Sequence, residues 1–87
     1  MSVYVRNIVI NTSTEHVDQE TYDLWFDRIP YGSLIVIQGN NFFECDQHTR
    51  CSSSLLDFKR MNYVNKSIFE GTLPHDLYDR YMCVFKK

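Results

Sequence analysis

Three short stretches gather the side chains of this chain best suited to chemistry. Asn11-Thr12-Ser13-Thr14-Glu15-His16 supplies hydroxyls, a carboxylate and an imidazole. Gln38-Gly39-Asn40-Asn41 supplies amides around a glycine. Cys45, His48 and Cys51 place two thiols and an imidazole at Cys-x2-His-x2-Cys spacing. In the first stretch His16 has the chemistry of a general base, and Glu15 that of the carboxylate which orients it. The same six residues read equally as a solvated loop of capping side chains. Neither Glu15 nor His16 fits an apolar face. Both are therefore expected to be exposed, and to matter for activity or binding rather than for folding.

The cysteine cluster could offer zinc three ligands, with His16 or His75 as a fourth. A structural zinc site needs four in tetrahedral array, and metal knuckles usually come as two close pairs. Only one cluster exists here, so no metal is expected. His48 and Cys51 are expected to pack or hydrogen-bond near a strand end.

The elements that must position these residues follow from apolar patterning. Val3–Ile10 is rich in β-branched residues and predicts a strand that runs directly into the first polar stretch. Leu34 to Ile37 are four unbroken aliphatics leading into the second. Continuous runs of this kind are expected of strands buried on both faces. Between them, Asp18 reads as an N-cap with Glu20 in the first turn. Tyr22, Trp25, Phe26 and Ile29 then fall at i, i+3, i+4 and i+7, an amphipathic helix with one aromatic face. Tyr22 and Trp25 could serve as a stacking platform, but at this spacing they are expected in the core. Pro30-Tyr31-Gly32 ends the helix. Strand, helix and strand of this length predict a right-handed crossover with the two strands parallel neighbours.

Downstream, Ser54-x-x-Asp57 resembles a capping box opening a short helix with Leu55, Phe58 and Met61 on one side. Lys66–Leu73 alternates like a half-exposed strand. Pro74-His75-Asp76 makes a bend, and Leu77–Phe85 is a last strand whose apolar end places it inside the sheet. The order is β-α-β-α-β-β, an α/β chain in which ligand residues gather past the carboxyl ends of the first two strands.

Composition narrows the function classes. The 87 residues make one domain, and six Phe, six Tyr and one Trp favour a packed core over disorder. A net charge of −2, with both signs interspersed, gives no electrostatic case for nucleic acid or acidic membranes. No apolar run is long enough to cross a membrane as a helix. Three cysteines without a secretory pattern predict reduced thiols and a cytoplasmic protein.

The element order, together with the wording of several segments, resembles the second half of a class I S-adenosylmethionine-dependent methyltransferase. Asn-Ile-Val-Ile-Asn-Thr-Ser-Thr-Glu-His, residues 7–16, resembles the fourth strand and its loop. Residues 29–44 resemble the fifth strand, and Tyr78-Asp79-Arg80-Tyr81-Met82 the closing one. The resemblance covers nearly the whole chain. It implies a half-Rossmann domain, derived from a three-layer fold, whose last strand is antiparallel and inserted between the second and third. Asn11, Thr12, Ser13, Gln38, Asn40, Asn41 and His48 would face substrate and cofactor, with Glu15 and His16 as the catalytic pair. The family binds its cofactor mainly through a Gly-rich turn, and the three glycines here, Gly32, Gly39 and Gly71, lie far apart. The isolated chain is therefore expected to hold no cofactor, S-adenosylmethionine entering only if a partner completes the fold. The Asn-Pro-Pro-Tyr type motif of amino-group methyltransferases is absent too.

Two function classes follow. One is a methyltransferase-like half-domain serving as a piece of a split or oligomeric enzyme. The other is a non-enzymatic interaction or inhibitor protein, of the small phage type, using the remnant fold to bind a partner protein. In either case two helices cannot cover both faces of the sheet. A homodimer or a second protein chain is expected to cover the bare one.

Overall fold

The first helix forms where its capping chemistry puts it. In the computed structural model, which describes residues 7–44 and 49–87, α1 spans Gln19–Arg28, and the Asp18 side chain accepts a hydrogen bond from the Thr21 N–H at 2.7 Å. That bond holds the Asp18 carboxyl below the usual carboxylate range. At the other end the Lys87 ammonium donates to the carbonyls of Phe26 and Ile29 at 2.6 and 2.9 Å, a cation on the negative end of the helix dipole. Pro30 to Ser33 form a tight turn, with the Ser33 N–H donating to the Pro30 carbonyl. Gly32 sits at φ +90°, where a Cβ would be strained.

The second helix, α2, spans Leu55–Met61. The Ser54 hydroxyl accepts from the Asp57 N–H at 3.1 Å. The Asp57 carboxylate reaches back to the N–H of Ser53 at 2.9 Å, one residue before the position of a standard capping box. The helix closes with Val64 donating to the Lys59 carbonyl and Tyr63 to the Arg60 carbonyl, the paired bonds of a Schellman ending. Its left-handed residue is Tyr63, at φ 62° rather than a glycine. The Tyr63 ring lies 5.3 Å from Phe26 and 6.0 Å from Tyr22, so packing against α1 offsets the backbone cost.

Four strands complete a small mixed α/β domain: β1 Ile8–Asn11, β2 Leu34–Asn40, β3 Ser67–Pro74 and β4 Asp79–Lys86. Their order across the sheet is β1-β2-β4-β3. Strands β1 and β2 are parallel, and β4 is antiparallel to both β2 and β3. The register between β3 and β4 shifts between Ser67 and Phe69, leaving Ile68 as an extra residue. The part of the expected first strand before Asn7 lies outside the described residues. No helix among the described residues is long and apolar enough to cross a membrane.

Both helices pack on one face. Phe26 of α1 stacks on Phe85 at 6.3 Å, and Phe58 of α2 meets Tyr81 at 5.7 Å. The core is Ile35 and Ile37 of β2, Tyr81, Cys83 and Phe85 of β4, with Ile29, Phe58 and Val64 closing over them. The continuous aliphatic runs are not buried on both faces as their sequence suggests. In β1, Ile8 and Ile10 are 65 and 62 % exposed, while Leu34 and Val36 of β2 are only half-buried. A run of β-branched residues reports a preference for the strand conformation and does not report that both faces of the strand are covered.

Gly39 owes its identity to this packing. A Cβ there would lie 2.6 Å from a Phe58 ring carbon and 2.7 Å from the Thr14 hydroxyl. The strand end needs a glycine so that α2 and the loop after β1 can close on it. Gly39→Ala is expected to lower stability by about 1–3 kcal/mol through overpacking, read as a shifted urea midpoint with unchanged slope. An unchanged midpoint would mean that Phe58 moves aside freely.

Cys83 has no exposed surface, and burial pushes its thiol up to about 11 from 9.0. The folded thiol should resist thiol reagents at neutral pH and react only on unfolding. Because the folded value is the higher one, its contribution is complete below pH 9.0 and is lost as pH rises towards 11. Cys83→Ala should flatten the fall in stability over that window. Rapid labelling of Cys83 in the native protein would contradict this picture.

Candidate functional site

The carboxyl ends of β1 and β2 stand side by side, next to the start of β4. The chain turns immediately after β1, where the Asn11 side-chain oxygen accepts from the Ser13 N–H at 3.0 Å. That Asx-type turn leads into a single 3-10 turn over Thr14–His16. Thr14 is buried and donates its hydroxyl to the Gln38 carbonyl at 3.0 Å, pinning the turn onto the end of β2. Thr12 and Ser13 are exposed.

Glu15 is not exposed as its polarity suggests: only 5 % of it reaches solvent. Its backbone carbonyl accepts from the N–H groups of Thr49 and Arg50, at 2.7 and 3.2 Å, and this anchors the residue beneath the following loop. Among the described residues one carboxylate oxygen is buried with no hydrogen-bond partner. The other lies 3.9 Å from His16 Nε2, an ion-pair distance when the imidazole is protonated and too long for a hydrogen bond. The His16 side chain is 42 % exposed. The pair is adjacent, with the carboxylate inside and the imidazole at the surface.

The amides of the second stretch are largely occupied by the fold. The Asn40 side-chain oxygen accepts from the Phe42 N–H at 3.1 Å and from the Cys51 thiol at 3.4 Å. Asn41 is joined to Asp79 on both sides. Its side-chain oxygen accepts from the Asp79 N–H at 2.7 Å, and its own N–H donates to the Asp79 carbonyl at 3.2 Å. Gln38 accepts from an Arg80 Nη2 at 3.2 Å, and the same nitrogen reaches the Thr12 carbonyl at 3.5 Å. Cys45 and His48 lie outside the described residues. Among the described residues no group of His, Cys, Asp and Glu is arranged to hold a metal ion.

The structure thus brings Asn11, Thr12, Ser13, Glu15, His16, Gln38, Asn40 and Asn41 to one rim. The residue that organises this rim is one the sequence pattern does not single out. Arg50 is 5 % exposed, and its guanidinium donates in four directions. Nε reaches the Gln19 side chain at 2.9 Å, and Nη1 the Thr14 carbonyl at 3.3 Å. Nη2 reaches the Met61 carbonyl at 2.8 Å and the Asn62 side-chain oxygen at 3.0 Å. Its carbon lies 4.2 Å above the Tyr22 ring. Among the described residues no carboxylate comes within ion-pair distance of it. Burial pulls its pKa below the usual guanidinium range, and its charge is met by carbonyl dipoles and a ring face. The one sequence signal for it is an arginine between Thr49 and Cys51, in a loop expected to pack near a strand end.

No family model, no curated protein and no solved structure matches this chain.

Arg50→Met is expected to cost at least about 3 kcal/mol, because it strands several buried acceptors, each worth about 1–3 kcal/mol when left unpaired. Arg50→Lys should recover little, since one ammonium cannot span the Gln19, Thr14 and Met61 directions together. Chemical denaturation of both variants reads this directly. A loss below about 1 kcal/mol in Arg50→Met would show that water replaces the guanidinium without cost.

Proposed function

We propose that this chain is a methyltransferase-like half-domain that works inside an assembly and docks on protein through the open face of its sheet. The observation that carries this reading is the contrast between the two faces. One is packed under α1 and α2. The other presents Ile8, Ile10, Phe69 and Leu73 at 56–65 % exposure, with no helix of the described residues over them. Contiguous apolar patches beyond about 300–600 Å² mark interaction surfaces on soluble proteins. The half-Rossmann assignment draws support from the strand order β1-β2-β4-β3, with β4 antiparallel between β2 and β3. In the resemblance it corresponds to the substrate-side half, lacking the Gly-rich turn that holds the cofactor.

On this reading the rim is chiefly a folded scaffold. Asn40, Asn41, Gln38 and Thr14 spend their polar atoms on backbone and on neighbouring side chains. A second reading keeps the rim as one part of a split S-adenosylmethionine-dependent enzyme. The observation that favours it is the buried Glu15 oxygen without a partner, since a completed site could give that oxygen a donor. In such an assembly Glu15 would be oriented from within and His16 would exchange protons at the surface.

Calorimetric titration of S-adenosylmethionine into the chain alone tests the primary reading. No binding at micromolar ligand is expected, since a glycine turn is what lets backbone N–H groups approach the cofactor. Sub-micromolar affinity would overturn it, and would point to a cofactor site built from residues 11–16 and 39–41.

A further inference from the structure

We infer that the occupant of the open face is a second copy of this chain, packed face to face about a two-fold axis that runs along the strands between β2 and β4. This rests on the docking role proposed for that face.

The register supplies the geometry. Ile10 pairs with Val36, Val36 with Val84, and Val84 with Phe69. One apolar residue from each of the four strands therefore stands at the same level, in an unbroken row across the sheet. Next to it, Gln38, Met82 and Gly71 form a second row. The missing side chain at Gly71 contributes to an apolar depression of about 280 Å³, lined by Phe69, Leu73, Met82 and Gln38 among others. Strands about 4.8 Å apart, with four levels of side chains, give a face roughly 20 Å square. Its accessible surface is on the order of 600–800 Å² per copy, and two such faces together approach the ~1,600 Å² of a standard stable interface.

Charge chooses the axis. Among the described residues the strand cations on this face are Arg80 and Lys86, at opposite ends of β4, and no strand carboxylate faces that side. An axis across the strands that overlaps β4 with its own copy would set Arg80 against Lys86, a like-charge contact in a desolvated place. An axis along the strands lays β4 over the β2 of the second copy. Arg80 then meets the level of Asn40, and Lys86 that of Leu34, both uncharged. The same operation lays Phe69 of the outer strand β3 over Ile10 of β1. The two most exposed flanks of the apolar row thereby cover each other.

The test uses the full chain in a Cys45→Ser background, in which the remaining cysteines, Cys51 and Cys83, are buried. Light scattering behind size-exclusion chromatography should give twice 10.4 kDa at micromolar concentration. Phe69→Lys and Ile10→Lys, on opposite edges, should each raise the dimer dissociation constant by 100-fold or more while retaining the native circular dichroism spectrum. An Ile10→Cys chain mixed with a Phe69→Cys chain should form the mixed disulfide at least tenfold more than either self-disulfide. Dominant self-disulfides would overturn the stated axis. A dimer surviving both lysine variants would overturn the face. A monomer that binds a hydrophobic dye would overturn the second copy as occupant and leave the docking role standing. A monomer that binds no dye would overturn both.

Discussion

The fold depends on one buried cation that has no anion beside it among the described residues. Arg50 joins the turn after β1, the start of α1 and the end of α2 through four hydrogen bonds, and it rests on the ring of Tyr22. Burying a charge is costly unless its donors are all met. Here the acceptors are two backbone carbonyls and two side-chain amide oxygens, drawn from three separate segments. The charge can therefore be satisfied only when all of these segments are in place. Arg50 acts as a condition on the arrangement more than as a source of stability. An apolar residue filling the same volume would bind the segments less selectively.

That condition explains the character of the rim. Glu15 is held under the loop because its carbonyl receives the N–H groups of Thr49 and Arg50, so its place follows from the backbone of the loop that carries Arg50. Thr14 is fixed by Arg50 on its carbonyl and by Gln38 through its hydroxyl. The polar residues at the strand ends thus divide into those that build the turn and those that remain at the surface, such as Thr12, Ser13 and His16. A buried acid next to an exposed imidazole is a product of this layering.

Much of the architecture was legible because it rests on local chemistry. Asp18 and Ser54 cap helices where their spacing says they should, and Gly32 turns the chain where Pro30 stops the helix. The aromatic face of α1 is in the core, with Tyr22 fully buried. What the sequence could not convey depends on distant partners. The burial of Glu15 is decided by a loop more than thirty residues away, and the role of Arg50 by segments on both sides of it. Tyr63 takes a left-handed conformation because Tyr22 and Phe26 pack against it, a cause invisible in Asn62–Asn65 read alone. The apolar runs of β1 and β2 predicted two covered faces, but alternation in solvent exposure depends on what lies above the sheet as well as on the strand.

The place of β4 in the sheet carries a consequence for how the chain reaches its native state. It follows every other element in sequence, yet lies between β2 and β3, and its pairing with β2 joins residues as distant as Leu34 and Lys86. Its hairpin with β3 can form early, because the connection is short and His75 and Tyr78 close it with a 2.7 Å backbone hydrogen bond. The β1–α1–β2 unit can likewise collapse by itself. The two halves then meet along one seam, β2 against β4, and the loop entropy of that meeting falls on a single event. Until it occurs, the inner edge of β2 offers a full row of unpaired backbone groups beside Ile35 and Ile37. Before the seam closes, that edge is where pairing with another chain competes with pairing to β4.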